Sequence, residues 1–219
     1  VTMSLLSDGD KQELKTQFEK VTRKVKLHFF TSKNAHECLL CNETKQILDE
    51  LTPLSDNIEL VEYDVNENPE AKSKFNTEIF PAIVLTLEDD IDLGIHWYGI
   101  PAGHEFMTLI GMIIDAGSDF IDIPDWALEK IAEIDKPVDI KVFVTPTCPH
   151  CPNAVRVAHT IAYKNKNVKA SSYEASEFQE ISAKYEVMAV PKIVINETHS
   201  FEGSLPFPQY IEQIMNAIK

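Results

Sequence analysis

The chain has 219 residues, of which 44% are hydrophobic and 25% charged, and a formal charge of −15. The length suits two domains of about 100 residues each, with the composition of an ordinary globular protein. The acidity excludes a nucleic-acid partner, which needs a basic footprint, and disfavours an anionic membrane surface.

Residues from about Asp8 to Arg23 form the first amphipathic helix, with Leu14, Phe18 and Val21 on one face and Ser7 or Asp8 as the cap. A strand, Val25 to Phe30, leads through a connection, Thr31 to Glu37, into Cys38-Leu39-Leu40-Cys41 and a helical run carrying Ile47, Leu48 and Leu51. A second strand, Ile58 to Val65, is followed by a short helix opening at Asn68-Pro69. After Pro81, Ala82 to Leu87 and Ile95 to Tyr98 read as strands around the acidic turn Glu88-Asp89-Asp90, and a helix runs from about His104 to Ala116.

The second half repeats this order. A helix from Asp122-Ile123-Pro124 to about Ile134 precedes the strand Ile140 to Val144, then Cys148-Pro149-His150-Cys151 and a helix over 153–163. The strand Lys169 to Glu174 follows, and Ser176 with Gln179 reads as a capping box for a helix reaching Tyr185. Lys192 to Asn196 and His199 to Glu202 pair as strands, and a closing helix buries Ile211, Ile214, Met215 and Ile218.

The two cysteine pairs lie 110 residues apart (148 − 38), and other landmarks keep that offset. Phe80-Pro81 matches Val190-Pro191, Lys74-Phe75 matches Lys184-Tyr185, and Tyr63-Asp64 matches Tyr173-Glu174. This is an internal duplication, with domains expected at 1–117 and 118–219. The connection into the first pair is read as four residues longer than that into the second.

A CxxC between a strand and a helix sets its first thiol at a helix N-terminus. Unpaired amides and the helix dipole favour a thiolate there. Cys148, with His150 beside it, is therefore expected well below the ~8.5 of a free cysteine. All four cysteines fall in the two pairs, a usage closer to an intracellular redox or metal protein than to a secreted disulfide scaffold. No apolar run approaches the roughly 20 residues of a membrane span. Residues 1–10 lack the basic end and apolar stretch of a secretory signal. A cytoplasmic protein is expected.

The order of elements, each CxxC after the first strand and each proline about 40 residues later, resembles the thioredoxin fold. The tandem arrangement is similar to the two-domain protein disulfide oxidoreductases of archaea and some bacteria, often called glutaredoxin-like proteins. The resemblance implies an α/β fold: two thioredoxin-like domains, each a mixed central sheet flanked by helices. It implies thiol–disulfide exchange on protein dithiols and disulfides, with Cys148 and Cys38 reacting first and Cys151 and Cys41 resolving. Pro81 and Pro191 match the family's cis-proline, which exposes the backbone of Phe80 and Val190 to an incoming peptide.

The redox-active disulfides would be the only cofactors, with no metal, and a flavoprotein of the thioredoxin-reductase type would recharge them. Pro149-His150 resembles the dipeptide of periplasmic oxidases and should make the second site the more oxidising, while Leu39-Leu40 offers no donor and would desolvate a thiolate. A transfer module serving a peroxiredoxin is the rival within the same chemistry.

Three plainer readings stand beside these. The Leu39-Leu40 pair has a lesser reading as a degenerate copy kept for packing. The four thiols also read as zinc ligands, though structural zinc pairs usually lie ~15–20 residues apart, and a peptide- or zinc-binding module would need no redox step. The family's tryptophan before the first cysteine is replaced by Glu37 and Thr147, and its buried aspartate by His28 and Val142. His28 is then either a proton acceptor or a packed strand histidine.

Overall fold

The computed structural model describes residues 3–219. The chain gathers into two compact units, Val1–Asp92 with Ile113–Phe120, and Leu93–Met112 with Ile121–Lys219.

In the first unit, helix α1, Asp8–Gln17, opens on Ser7. The Ser7 hydroxyl accepts from the Asp10 amide and the Asp10 carboxylate accepts from the Ser7 amide, satisfying two of the donors that a helix start leaves open. The helix stops short of the expected Arg23: a 3-10 turn, Phe18–Lys20, follows. Strand β1, Val25–Thr31, pairs in parallel with β2, Ile58–Asp64, and antiparallel with β3, Ala82–Leu87. A parallel pair needs a crossover, which α2, Cys41–Leu51, supplies by burying Ile47, Leu48 and Leu51. Helix α3, Pro69–Lys74, precedes β3.

The second unit opens with β4, Ile95–Tyr98. Helix α4, Phe106–Ser118, comes next and belongs to this unit as far as Met112, its remainder counting with the first; α5, Asp125–Ala132, and β5, Val138–Val144, follow. Helix α6, Cys151–Lys164, links β5 to β6, Val168–Glu174. The unit closes with α7, Gln179–Lys184; β7, Lys192–Ile195; β8, His199–Glu202; and α8, Phe207–Ala217. Its strands lie in the order β4-β6-β5-β7-β8. β5 runs parallel to β6 and antiparallel to β7, which continues antiparallel to β8. β4 belongs by sequence to the first repeat, yet it pairs in parallel with β6, from Ile95 opposite Ala170 to Tyr98 opposite Tyr173. That pairing is why 93–112 clusters with the second unit although the repeat counts it with the first.

Strand register corrects the repeat alignment. Val25 lies opposite Ile58 and Val138 opposite Val168, so Val25 and Val138 are equivalent. The connection into Cys38 is therefore three residues longer than its counterpart, not four, and His28 corresponds to Lys141 rather than Val142. A slip of one residue turns a side chain to the opposite face of the sheet. Ser176 and Gln179 do not form the expected capping box either. The N-cap of α7 is Phe178, and the Ser176 hydroxyl instead donates to the Glu174 carboxylate at 2.6 Å.

Candidate active site

In each unit the second cysteine is the first residue of a helix. α6 opens at Cys151 and α2 at Cys41, with His150 and Leu40 as N-caps. Cys148 and Cys38 stand three residues ahead and are disulfide-bonded to Cys151 and Cys41, with Cα separations of 5.5 and 5.6 Å. Both disulfides thus sit where the first-turn amides and the positive end of the helix dipole favour a developing thiolate.

Accessibility separates the partners. Cys148 retains 9% of its surface while Cys151 retains none, and Cys38 retains 6% against 4% for Cys41. Cys148 and Cys38 are thus the outer cysteines of their pairs, and Cys151 and Cys41 the inner ones. Pro149 and His150 are both exposed. Leu39 projects into solvent (67% exposed) and only half-buried Leu40 can desolvate a thiolate, so the expected effect of that dipeptide rests on one side chain.

Pro81 and Pro191 follow cis peptide bonds, Phe80–Pro81 and Val190–Pro191. Each brings the preceding residue to the outer cysteine of its own unit. Cys38 forms a parallel β-bridge with Phe80, and Cys148 Sγ lies 3.8 Å from the Val190 carbonyl oxygen, placed for a reduced thiol to donate. The structure therefore assembles two constellations: Cys38, Cys41, Phe80 and Pro81, and Cys148, Cys151, Val190 and Pro191.

Sequence reasoning missed Glu105. It ends the 3-10 turn Gly103–Glu105, whose His104 amide donates to the Pro146 carbonyl at 2.9 Å, two residues before Cys148. Gly103 adopts φ +61°, and a Cβ there would strike the Pro146 carbonyl oxygen, so the close approach requires glycine. The turn packs on α6. The Glu105 side chain is buried, and neither carboxylate oxygen has a hydrogen-bond partner among the described residues. The Thr108 hydroxyl is committed to the Glu105 carbonyl at 2.7 Å and itself accepts from the Trp97 indole at 3.1 Å. Burial pushes the Glu105 carboxyl up to about 7. The signal was present only in part: a glutamate at a helix start reads as an ordinary cap, and nothing local shows that it is buried. Beside it a cleft of about 680 Å³ is lined by Gly103, His104, Met107, Pro146, Thr147 and Pro152.

His28 is a packed strand histidine. Its Nδ1 lies 3.0 Å from the Tyr63 hydroxyl and its Nε2 2.9 Å from that of Thr86, and its ring rests on Phe75, the C-cap of α3. In the second unit the equivalent Lys141 lies over Tyr185, the C-cap of α7. α6 covers the opposite face, where His159 meets Trp97 edge-on while the neighbouring Tyr98 packs at a tilt on Tyr173 on the other side. By the repeat, His28 points away from the helix that starts at Cys41 and cannot serve its disulfide. Burial pushes its pKa down to about 4, so it is neutral at pH 7.

Among the described residues no group of three or more His, Cys, Asp or Glu side chains is arranged to hold a metal, and no helix is long and apolar enough to cross a membrane.

Comparison with known proteins agrees with this geometry. Residues 138–216 match the thioredoxin domain family. The chain is 25% identical to the alkyl hydroperoxide reductase AhpF of Escherichia coli K12 over 96% of its own length, and 23% identical to that of Xanthomonas campestris pv. phaseoli over 98%. It spans 37% and 38% of those proteins. Two solved structures superpose with a TM-score of 0.88 at 27% identity. One is the N-terminal domain of the Enterococcus faecalis alkylhydroperoxide reductase AhpF, covering 95% of this chain and 99% of that one. The other is a protein disulfide oxidoreductase from Aeropyrum pernix K1, covering 99% and 94%. The chain is thus built of tandem thioredoxin folds, each carrying a CxxC disulfide.

Proposed function

We propose that the chain catalyses thiol–disulfide exchange on protein partners through both CxxC pairs. The observation that carries this reading is the placement of each outer cysteine beside the residue before a cis-proline. An extended partner segment pairing with the Phe80 or Val190 backbone would present its own sulfur to Cys38 or Cys148.

When a partner is reduced, the Cys148 thiolate attacks one sulfur of its disulfide. A mixed disulfide forms and the partner's other sulfur leaves as a thiolate. Cys151 then attacks Cys148 Sγ, releasing the partner's second thiolate and restoring the Cys148–Cys151 disulfide. Two electrons pass to the partner, and the reverse sequence oxidises it. Resolution requires Cys151 to lose its proton. Glu105 is suited to accept it, because its carboxyl titrates near neutrality and its turn contacts both the loop before Cys148 and the helix begun by Cys151. Cys38 and Cys41 would perform the same two steps in the first unit. No cofactor beyond the disulfides is needed for them, and the cytoplasm, whose thiol pool would return the pairs to the dithiol state, is the compartment this cycle suits.

The similarity to alkyl hydroperoxide reductases favours a second reading within the same chemistry. There the chain relays electrons from a flavoprotein of the thioredoxin-reductase type to a peroxide-reducing protein. Insulin reduction by dithiothreitol tests the exchange activity. Wild-type chain should accelerate precipitation of the insulin B chain, and the Cys38→Ser/Cys148→Ser double variant should not; equal rates would reject the proposal.

A further inference from the structure

We propose that Glu37 is a specificity-determining residue, a tethered carboxylate on the residue before Cys38 that selects against acidic reaction partners at the Cys38–Cys41 site. The inference rests on the exchange reading above and concerns which partners the first site accepts.

Glu37 immediately precedes Cys38, whose backbone is held by its bridge to Phe80. Its side chain folds back across the long connection. Ser32 Oγ donates to Glu37 Oε2 at 2.6 Å, and Asn66 Nδ2 donates to the same oxygen at 3.3 Å. The anchors are themselves fixed. Ser32 is buried and accepts from the Asn34 amide at 3.1 Å, while the Asn66 amide donates to Asp64 Oδ1 at 2.9 Å. The Ser32 bond foremost, then that of Asn66, holds the Glu37 carboxyl below the usual carboxylate range, so it is ionised at neutral pH.

An ordinary surface carboxylate spreads its charge over many rotamers, and its effect is mostly lost to solvent. This one is exposed yet held by two hydrogen bonds, on the residue that immediately precedes Cys38. Lys72, 5.8 Å from the Phe80 ring centroid, is a charge of opposite sign on the same site, but it is already paired with Glu78 at 3.8 Å, which leaves the tethered Glu37 as the charge next to Cys38. In the second unit Thr147 takes the place of Glu37 at the end of a connection three residues shorter. The selection should therefore be confined to the first site. A reagent bearing a charge within about 7 Å of the carboxylate should react about three- to tenfold differently according to its sign at low ionic strength.

The test uses the full chain carrying Cys148→Ser and Cys151→Ser, so that only the first disulfide reacts, with cysteamine as a cationic thiol and 3-mercaptopropionate as an anionic one. Each thiolate attacks Cys38 Sγ, forming a mixed disulfide and releasing Cys41 as a thiolate. A second reagent thiolate then takes the first off as its symmetrical disulfide, leaving both cysteines reduced by two electrons. The ratio of the two rates, each corrected for the reagent's own thiolate fraction, is the readout.

Glu37→Gln should lower the preference for cysteamine about threefold or more, and Ser32→Ala, which frees the carboxylate, should lower it partway. Glu129→Gln, on α5 of the other unit, controls for net charge and should leave the ratio unchanged. An unaltered ratio in Glu37→Gln, or an equal fall in Glu129→Gln, overturns the proposal. Failure of both reagents to reduce the disulfide in any variant would instead overturn the exchange reading at this site.

Discussion

Replacing Glu105 by glutamine should make the protein more stable in mildly alkaline solution and less able to complete exchange at the second site. The carboxyl is raised from 4.5 to about 7 by burial, so the folded state holds its proton more tightly than the unfolded chain. Stability from this group is therefore fully present below pH 4.5 and is lost as pH rises through 7. At about 1.4 kcal/mol per pH unit, the loss amounts to about 3 kcal/mol by pH 8.5. Glutamine has the same shape and no charge to strand. The Glu105→Gln variant should match wild type at pH 4.5 and exceed it by an amount on the order of 3 kcal/mol at pH 8.5, read from urea transitions at the two pH values. Single-turnover exchange through Cys148 should show the opposite: a slower resolving step, with loss of the inflection near pH 7. A stability difference that stays the same at both pH values would refute the buried-carboxylate argument. A resolving rate that keeps its inflection would remove Glu105 from the proton path.

Three other expectations follow from particular contacts. His28→Leu should leave exchange at Cys38 unchanged and flatten the acid limb of stability. The wild-type histidine, pushed down to about 4, contributes stability above its unfolded value of 6.5 that is lost as pH falls toward 4; urea transitions at pH 7 and 4 would show it, and a lost exchange rate would reinstate His28 in the site. Gly103→Ala places a Cβ against the Pro146 carbonyl at positive φ, so it should destabilise the second unit by about 1–3 kcal/mol and slow exchange at Cys148 while sparing Cys38. Equal slowing at both cysteines would count against a local effect. Redox titration with single-site variants should find the Cys148–Cys151 pair the more oxidising, and His150→Leu should lower its potential by about 30 mV or more, where 30 mV corresponds to about 1.4 kcal/mol for two electrons. A potential below that of the Cys38–Cys41 pair would reverse the assignment.

How much was legible in advance depends on how local the information is. The strand, CxxC and helix succession, the repeat at 110 residues and the prolines matching Pro81 and Pro191 could be read directly, because period, spacing and residue type are properties of the chain itself. Helix ends were read less well: α1 stops at Gln17, and Ser176 serves the Glu174 carboxylate rather than a cap. There a local hydrogen bond competes with the helix for the same side chain, and tertiary placement chooses between them.

By itself, the order of residues determined two thioredoxin-like halves, each with a pair of cysteines three apart ahead of a helix. Only the tertiary structure decided that β4 joins β6 and that His28 faces α3. It alone buries Glu105 next to the loop before Cys148, with no hydrogen-bond partner for its carboxylate among the described residues. Strand register and burial depend on pairing between segments far apart in the chain, and one residue of slip reverses which face a side chain takes. For that reason the cysteines could be found from spacing, while the buried Glu105 carboxylate could not.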